Sequence, residues 1–184
     1  MMTAIKHKKV LLFLVNFFVT YFIGLALYNI YLNTFQNKMI GFECDPITVS
    51  VADLTCNGIQ YLGFSSFYEP HATEFSLNLF VDNVLLVRII EGCNAISVIV
   101  LFVAFVVAFR TRFLPTLLFV VVGSLLIYYF NIIRIVGIVV GMQQYPSLTG
   151  FLHDILFPVI IYGFVFLLWV IWVNYFATLT TKKG

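Results

Sequence analysis

Apolar residues in this chain fall into four long blocks, and the longest stretch between them follows a different pattern. The blocks run from Val10 to about Leu32, from Cys93 to Phe109, from Phe113 to Val140, and from about Phe151 to Phe176. Within each, apolar character is nearly continuous, so all sides of a helix would be greasy. A helix needs about 20 such residues to cross a bilayer. The second block is short and the third is long, with a single arginine, Arg134, inside it. The pattern predicts four spanning helices.

The 33–92 segment reads differently. Asp45-Pro46 has the form of an N-cap followed by proline in the first helical turn, and Ile47, Val51, Leu54, Gly58 and Leu62 follow at helical spacing. This predicts an amphipathic helix lying on the membrane surface or on the span ends. Phe75–Val81 and Val84–Ile90 flank Asp82-Asn83. Two apolar runs around a two-residue polar turn predict a β-hairpin, whose second strand runs into Glu91-Gly92-Cys93 and the second block. The expected fold class is an all-α integral membrane protein, residues 1–184 forming a single membrane domain. It has about four transmembrane helices (spans about 10–32, 93–109, 113–140 and 151–176), an outer amphipathic helix and a small β-hairpin.

Composition agrees. Hydrophobic residues make up 62% of the 184 residues, charged residues 10%, and the mean hydropathy is +1.05. Soluble domains carry about 25% charged residues. A net charge of +2 argues against a nucleic-acid partner. Lys6, His7, Lys8 and Lys9 before the first block imitate a signal peptide. However, no small-residue cleavage site follows and the run is too long, so the first helix is expected to remain uncleaved.

The distribution of charge orients the chain. Lys6, Lys8, Lys9, Arg110, Arg112, Lys182 and Lys183 fall at the N-terminus, the 2–3 loop and the C-terminus, which four spans place on one side. Glu43, Asp45, Asp53, Glu69, Glu74, Asp82, Glu91 and Asp154 fall on the other. Basic residues mark the cytoplasmic side, so both termini are expected inside and the 33–92 segment outside.

Three reactive residues reach that outer face. Cys93 opens the second block and His153 the fourth. Arg134 lies 21 residues beyond Phe113, roughly 31 Å along a helix rising about 1.5 Å per residue. A thiolate is a nucleophile, favoured beside a cation or a helix N-terminus. An imidazole serves as base and then acid in acyl transfer. A guanidinium stabilises an oxyanion or holds a carboxylate. Asp154 and Glu91 are candidates to orient the imidazole, although Glu91 would also oppose a thiolate. Asn131, three residues before Arg134, shares its helix face. Pro158 cannot bond the carbonyl of Asp154, so a local bend is expected there.

Each residue also has a plainer reading. Cysteine in a membrane helix is often a small apolar residue, His153 an interfacial histidine, and Arg134 a side chain snorkelling to headgroups. Cys44 and Cys56, also outside, are candidates for a disulfide that would leave Cys93 as the odd thiol. His71 reads as a solvated loop residue. The 33 aromatic residues read as lipid-facing and interfacial. No glycine-rich phosphate loop or internal repeat is present, and no cofactor or metal is expected.

The blocks Glu91-Gly92-Cys93-Asn94-Ala95-Ile96, Asn131-Ile132-Ile133-Arg134-Ile135 and His153-Asp154 resemble the three signatures of the exosortase/archaeosortase family. These are membrane cysteine transpeptidases of bacteria and archaea. The resemblance covers roughly residues 84–160 and is nearest the compact exosortase F type. Asn94-Ala95 departs from the Ser-Gly that many members carry after the cysteine. The resemblance implies cleavage of a C-terminal sorting signal (a short motif, a hydrophobic helix and a basic tail) on secreted cargo. The new carboxyl end then passes to an envelope acceptor, at the outer face of the bacterial cytoplasmic membrane. It further implies that Cys93 forms an acyl-thioester, that Arg134 acts on the oxyanion or leaving group, and that His153 acts as base or transition-state stabiliser. The competing readings are a non-enzymatic scaffold or assembly subunit, with Arg134 paired to Glu91 or Asp154, and a transporter. The transporter ranks last because the other spans carry no deep charge.

Overall fold

A computed structural model describes residues 2–36, 42–109 and 112–177. Arg110, Lys182 and Lys183, used above to orient the chain, lie outside the described residues. Helix α1 (Met2–Phe35) is followed by α2 (Pro46–Tyr61), strands β1 (Ser66–Pro70), β2 (Ser76–Val81) and β3 (Val84–Ile90), and a tight 3₁₀ turn at Glu91–Cys93. Then come α3 (Ile96–Ala108), α4 (Phe113–Gln144), a short turn at Pro146–Leu148, α5 (Thr149–Phe151), a widened π-helical turn at Leu152–Leu156 and α6 (Phe157–Ile171).

Among the described residues, three helical stretches are long and apolar enough to cross a membrane: Val10–Phe35, Phe113–Gln144 and Thr149–Tyr175. The second apolar block forms a shorter helix than its sequence run, because its first residues are not helical. Cys93 ends the 3₁₀ turn, Ala95 adopts a left-handed backbone at φ 64°, and regular helix starts at Ile96. What remains is 13 residues long, about 20 Å at 1.5 Å per residue. The first block continues three residues past its expected end, to Phe35, and the third runs on to Gln144. In the fourth, the bend expected near Pro158 takes the form of the widened turn Leu152–Leu156 just before it. The proline supplies no N–H to the turn behind it.

The 33–92 segment carries both expected elements and one more. Asp45 caps α2, its carboxylate accepting the Ile47 and Thr48 amides at 3.0 and 3.2 Å, with Pro46 in the first turn. The hairpin turns through Asp82 and Asn83, both at positive φ (50° and 65°). That is the primed turn whose twist matches paired strands. A third strand, β1, pairs antiparallel with β2, so the sheet order is β1-β2-β3 and the fold contains a small three-stranded sheet. The buried stripe of α2 is Thr48, Val51, Ala52, Thr55, Cys56 and Ile59. It shares Val51 with the expected stripe, but Leu62 is exposed. Thr48 belongs to it because its hydroxyl meets polar partners, Asp45 and Asn94.

Two apolar clusters hold the molecule together. The first joins Val51, Ala52 and Ile59 of α2 with Leu77, Leu79, Val81 and Ile89 of the sheet, and with Ile135 and Val139 of α4. The second joins Phe102 and Val106 of α3 with Ile127 of α4, Ile161, Val165 and Leu168 of α6, and Trp172. α4 thus serves both, changing cluster between Ile127 and Ile135. Glycines permit its close approaches: a Cβ on Gly123 would stand 2.3 Å from the Phe102 ring, and one on Gly58 2.9 Å from Val136. α1 lies along α3, with Phe13 against Phe105 and Phe109.

Candidate functional site

The turn carrying Cys93 sits at the seam between the two clusters. β3 delivers it. At the start of that strand, Asp82 accepts a hydrogen bond from the Gln143 amide (3.3 Å), near the end of α4. At the other end, the Cys93 carbonyl accepts from Asn131 Nδ2 at 2.7 Å. The strand therefore descends alongside α4. The twelve residues separating the two α4 anchors span about 18 Å of helix, and the seven of β3 about 23 Å of strand.

Asn131 is nearly fully buried and uses both ends of its amide. Its nitrogen donates to the Cys93 carbonyl, and its oxygen accepts from Arg134 Nη1 at 3.1 Å. A buried amide with both ends engaged is orientationally fixed. The bridge ties the guanidinium to the cysteine turn across 38 residues of sequence. The Arg134 charge lies within electrostatic range of Cys93 and of Tyr162 on α6. Its Nε is buried without a hydrogen-bond partner. An uncommitted buried guanidinium N–H is unusual and leaves a donor available on the residue that the bridge ties to the cysteine turn. Cys93 itself is half-buried.

The residue after the cysteine is anchored as firmly. Asn94 is completely buried. Its Nδ2 donates to Tyr28 Oη (2.7 Å) on α1 and to Thr48 Oγ1 (3.1 Å) on α2, while its Oδ1 accepts the Ile96 amide (3.0 Å). Thr48 in turn donates its hydroxyl to Asp45 Oδ2 at 2.6 Å, and Tyr31 donates to Asp45 Oδ1 at 3.4 Å. Glu91 accepts from the Gln36 amide. Burial and the nearby Asp45 charge raise the pKa of the Glu91 carboxyl above its ordinary value. The left-handed backbone at Ala95 costs on the order of 1 kcal/mol in a non-glycine residue, and these contacts hold it in place.

The structure thus brings together Cys93, Asn131 and Arg134, with Glu91 two residues upstream on the same turn. His153 and Asp154 lie in the widened turn at the start of the last long helix. Asp154 is exposed there; the His153 side chain is not among those described. Cys44 and Cys56 are two separate, buried free thiols rather than a pair. Burial, together with Asp45 and Glu91, pushes the Cys44 thiol up to about 11, and burial also raises that of Cys56. Neither is poised for nucleophilic chemistry.

Sequence reading missed Tyr28, Thr48, Asn94 and Tyr162, and took Asp45 only as a helix cap. Tyr28 and Tyr162 sit inside apolar runs, where tyrosine reads as an interfacial side chain. The one available signal was Asn94, an amide placed directly after the candidate nucleophile.

The chain matches no protein-family model, and no curated protein or solved structure is significantly similar to it.

Proposed function

We propose that this chain is an exosortase-like membrane cysteine protease or transpeptidase that cleaves a C-terminal sorting signal of secreted cargo. The observation that carries this reading is the Cys93–Asn131–Arg134 bridge, which ties the backbone carbonyl of the half-buried Cys93 to a guanidinium with an uncommitted buried donor. On this reading α3 is a short fourth span, and α2 caps the outer ends of the spans with its amphipathic face. Both termini are cytoplasmic, and the site faces outward from the bacterial cytoplasmic membrane. Arg112 at the foot of α4, and the acidic residues of α2 and the sheet at the opposite end, support that orientation.

The chemistry follows from the groups present. His153 takes the proton of the Cys93 thiol, and the thiolate attacks the carbonyl carbon of the scissile peptide bond. Arg134 donates to the oxyanion as it forms. The C–N bond breaks, the leaving amine takes the proton back from His153, and the cargo is held as a thioester on Cys93. An envelope acceptor then attacks the thioester, with His153 accepting its proton, and the C–S bond breaks to regenerate the thiol. Asn131 steadies both Arg134 and the cysteine turn, while Glu91 and Asp154 support the site. No metal or cofactor enters this sequence.

The cargo's hydrophobic helix packs beside the spans, which sets its cleavage motif at the level of Cys93. β3 pairs with β2 alone among the described strands and leads into the cysteine, so its free edge suits an extended cargo segment by strand addition. Proline substitutions along that edge should block cleavage; intact cleavage would remove the strand-addition step.

The decisive experiment is co-expression with a secreted protein ending in a motif, a hydrophobic helix and a basic tail. Cys93→Ala and Cys93→Ser should accumulate uncut cargo at normal protein levels. Processing by both variants would overturn the thiol mechanism.

A further inference from the structure

The hydrogen bonds behind Cys93 have a direction, and the direction is informative. Thr48 has one hydroxyl hydrogen, and it goes to Asp45 Oδ2 at 2.6 Å. Its oxygen is therefore available to Asn94 only as an acceptor, and it receives Nδ2 at 3.1 Å. Tyr28 Oη receives from the same amide nitrogen at 2.7 Å. With its nitrogen pointed at these two oxygens, the Asn94 carbonyl oxygen is left facing the Ile96 amide. Asp45 is held by the Ile47 and Thr48 amides and by the Tyr31 hydroxyl. Asp45, Thr48 and Asn94 are each fully buried. No member has freedom to rotate without leaving a buried polar group unpaired, which is costly.

This relay grips the residue directly after Cys93 from α1 and α2, while Asn131 grips the Cys93 carbonyl from α4. We propose that Asp45, Thr48 and Asn94 are positioning residues. They form a relay that holds the Cys93 turn, with its left-handed Ala95, so that the thiol faces the Arg134 guanidinium. None of the three touches the reacting atoms. The inference rests on Cys93 as the nucleophile, and its readout needs no cargo.

The test measures alkylation of Cys93 in the purified full-length protein in mild detergent, by peptide mass spectrometry. Iodoacetate, an anion, is compared with iodoacetamide, its neutral counterpart of similar size. A cation held beside the thiol favours the anion, so the ratio of the two rates reports the Arg134–Cys93 geometry. Thr48→Val keeps shape but removes the acceptor, and it should lower the ratio about threefold or more, as expected when a short-range charge interaction is lost. Thr48→Ser should restore it. Tyr28→Phe removes one acceptor on a helix outside both clusters, so it covers the case in which Thr48→Val does not fold; a smaller fall is expected. A general loosening of the fold would raise the iodoacetamide rate as the ratio falls, whereas loss of the relay alone lowers the ratio with the iodoacetamide rate little changed.

An unchanged ratio in Thr48→Val, or in Tyr28→Phe where Thr48→Val cannot be purified, would overturn the relay while leaving Cys93 cleavage untouched. Absence of cargo cleavage by the natural protein would instead overturn the proposed activity and leave the relay's ratio standing.

Discussion

The two apolar clusters are built from different materials and meet on one helix. The sheet-side cluster is aliphatic, formed by Val51, Ile59, Leu77, Leu79, Val81 and Ile89, and is ringed by hydrogen bonds. The span-side cluster has an aromatic character. Phe102 packs against Phe119, Phe119 against Trp172, and Phe130 stacks on Phe164. α4 belongs to both, contributing Ile127 to one and Ile135 and Val139 to the other, and Asn131 and Arg134 lie where it crosses. The difference reflects solvent. Apolar burial against water drives the first. In lipid there is no such drive between helices, and association relies on close packing and interhelical hydrogen bonds. Polar chemistry can sit at the junction because each side supplies fixed partners there.

This contrast can be broken by experiment, starting with its largest expected effects. Gly123→Leu places carbon where the Phe102 ring already stands. It should cost about 3 kcal/mol through overpacking, read as a large loss of thermal stability in detergent; a mild effect would mean α3 and α4 do not meet there. Leu79→Ala, at a fully buried sheet position, should cost about 3 kcal/mol. Ile161→Ala in the span cluster should cost less, about 1 kcal/mol, because lipid or detergent can cover what is exposed. Equal losses in these two variants would erase the distinction between the clusters.

A chemical comparison separates the three thiols. Cys93 is half-buried and tied through Asn131 to Arg134, whereas Cys44 and Cys56 are buried, with burial raising the pKa of each above the ordinary thiol value. At pH 8, iodoacetamide should label Cys93 about tenfold faster than either of the others, as counted by peptide mass. Similar rates would place the seam elsewhere.

The pH effect is smaller and has a defined sign. The folded-state pKa of Glu91 is raised above the ordinary carboxyl value of 4.5 by burial and by Asp45. Its ionised form is thus disfavoured in the fold, and the protein gains stability as pH falls through the folded pKa toward 4.5. Glu91→Gln keeps an oxygen for Gln36 to donate to. It should raise thermal stability slightly at neutral pH and flatten the profile between pH 4.5 and the raised folded pKa. A profile that remains as steep would assign the effect to another group. Smallest of all, Ala95→Gly relieves a left-handed backbone of order 1 kcal/mol but loses a buried methyl. A net gain of a few tenths of a kcal/mol is expected in thermal melts.

Much of this is legible in the amino-acid sequence. The apolar blocks, the α2 cap at Asp45-Pro46 and the hairpin at Asp82-Asn83 are local properties. Each is specified by residues within a few positions of each other, through hydrophobicity, capping geometry or tolerance of positive φ. Charge segregation likewise needs only the order of residues and the span count. The same local logic placed Asn131 on the helix face of Arg134, three residues away.

What the sequence could not decide were the pairings between distant segments. β1 was not anticipated, since five residues containing Glu69 and Pro70 carry little strand signal until β2 lies beside them. The placement of α2 depends on Thr48 meeting Asn94, 46 residues on, and Ser50 meeting Tyr128, 78 residues on. The Asn131 bond to the Cys93 carbonyl and the Tyr28 bond to Asn94 span 38 and 66 residues. Residue order alone brought a thiol and a guanidinium to one end of the helices. Their placement on a common seam came from tertiary packing, because a hydrogen bond has direction and only the assembled helices fix where each donor points.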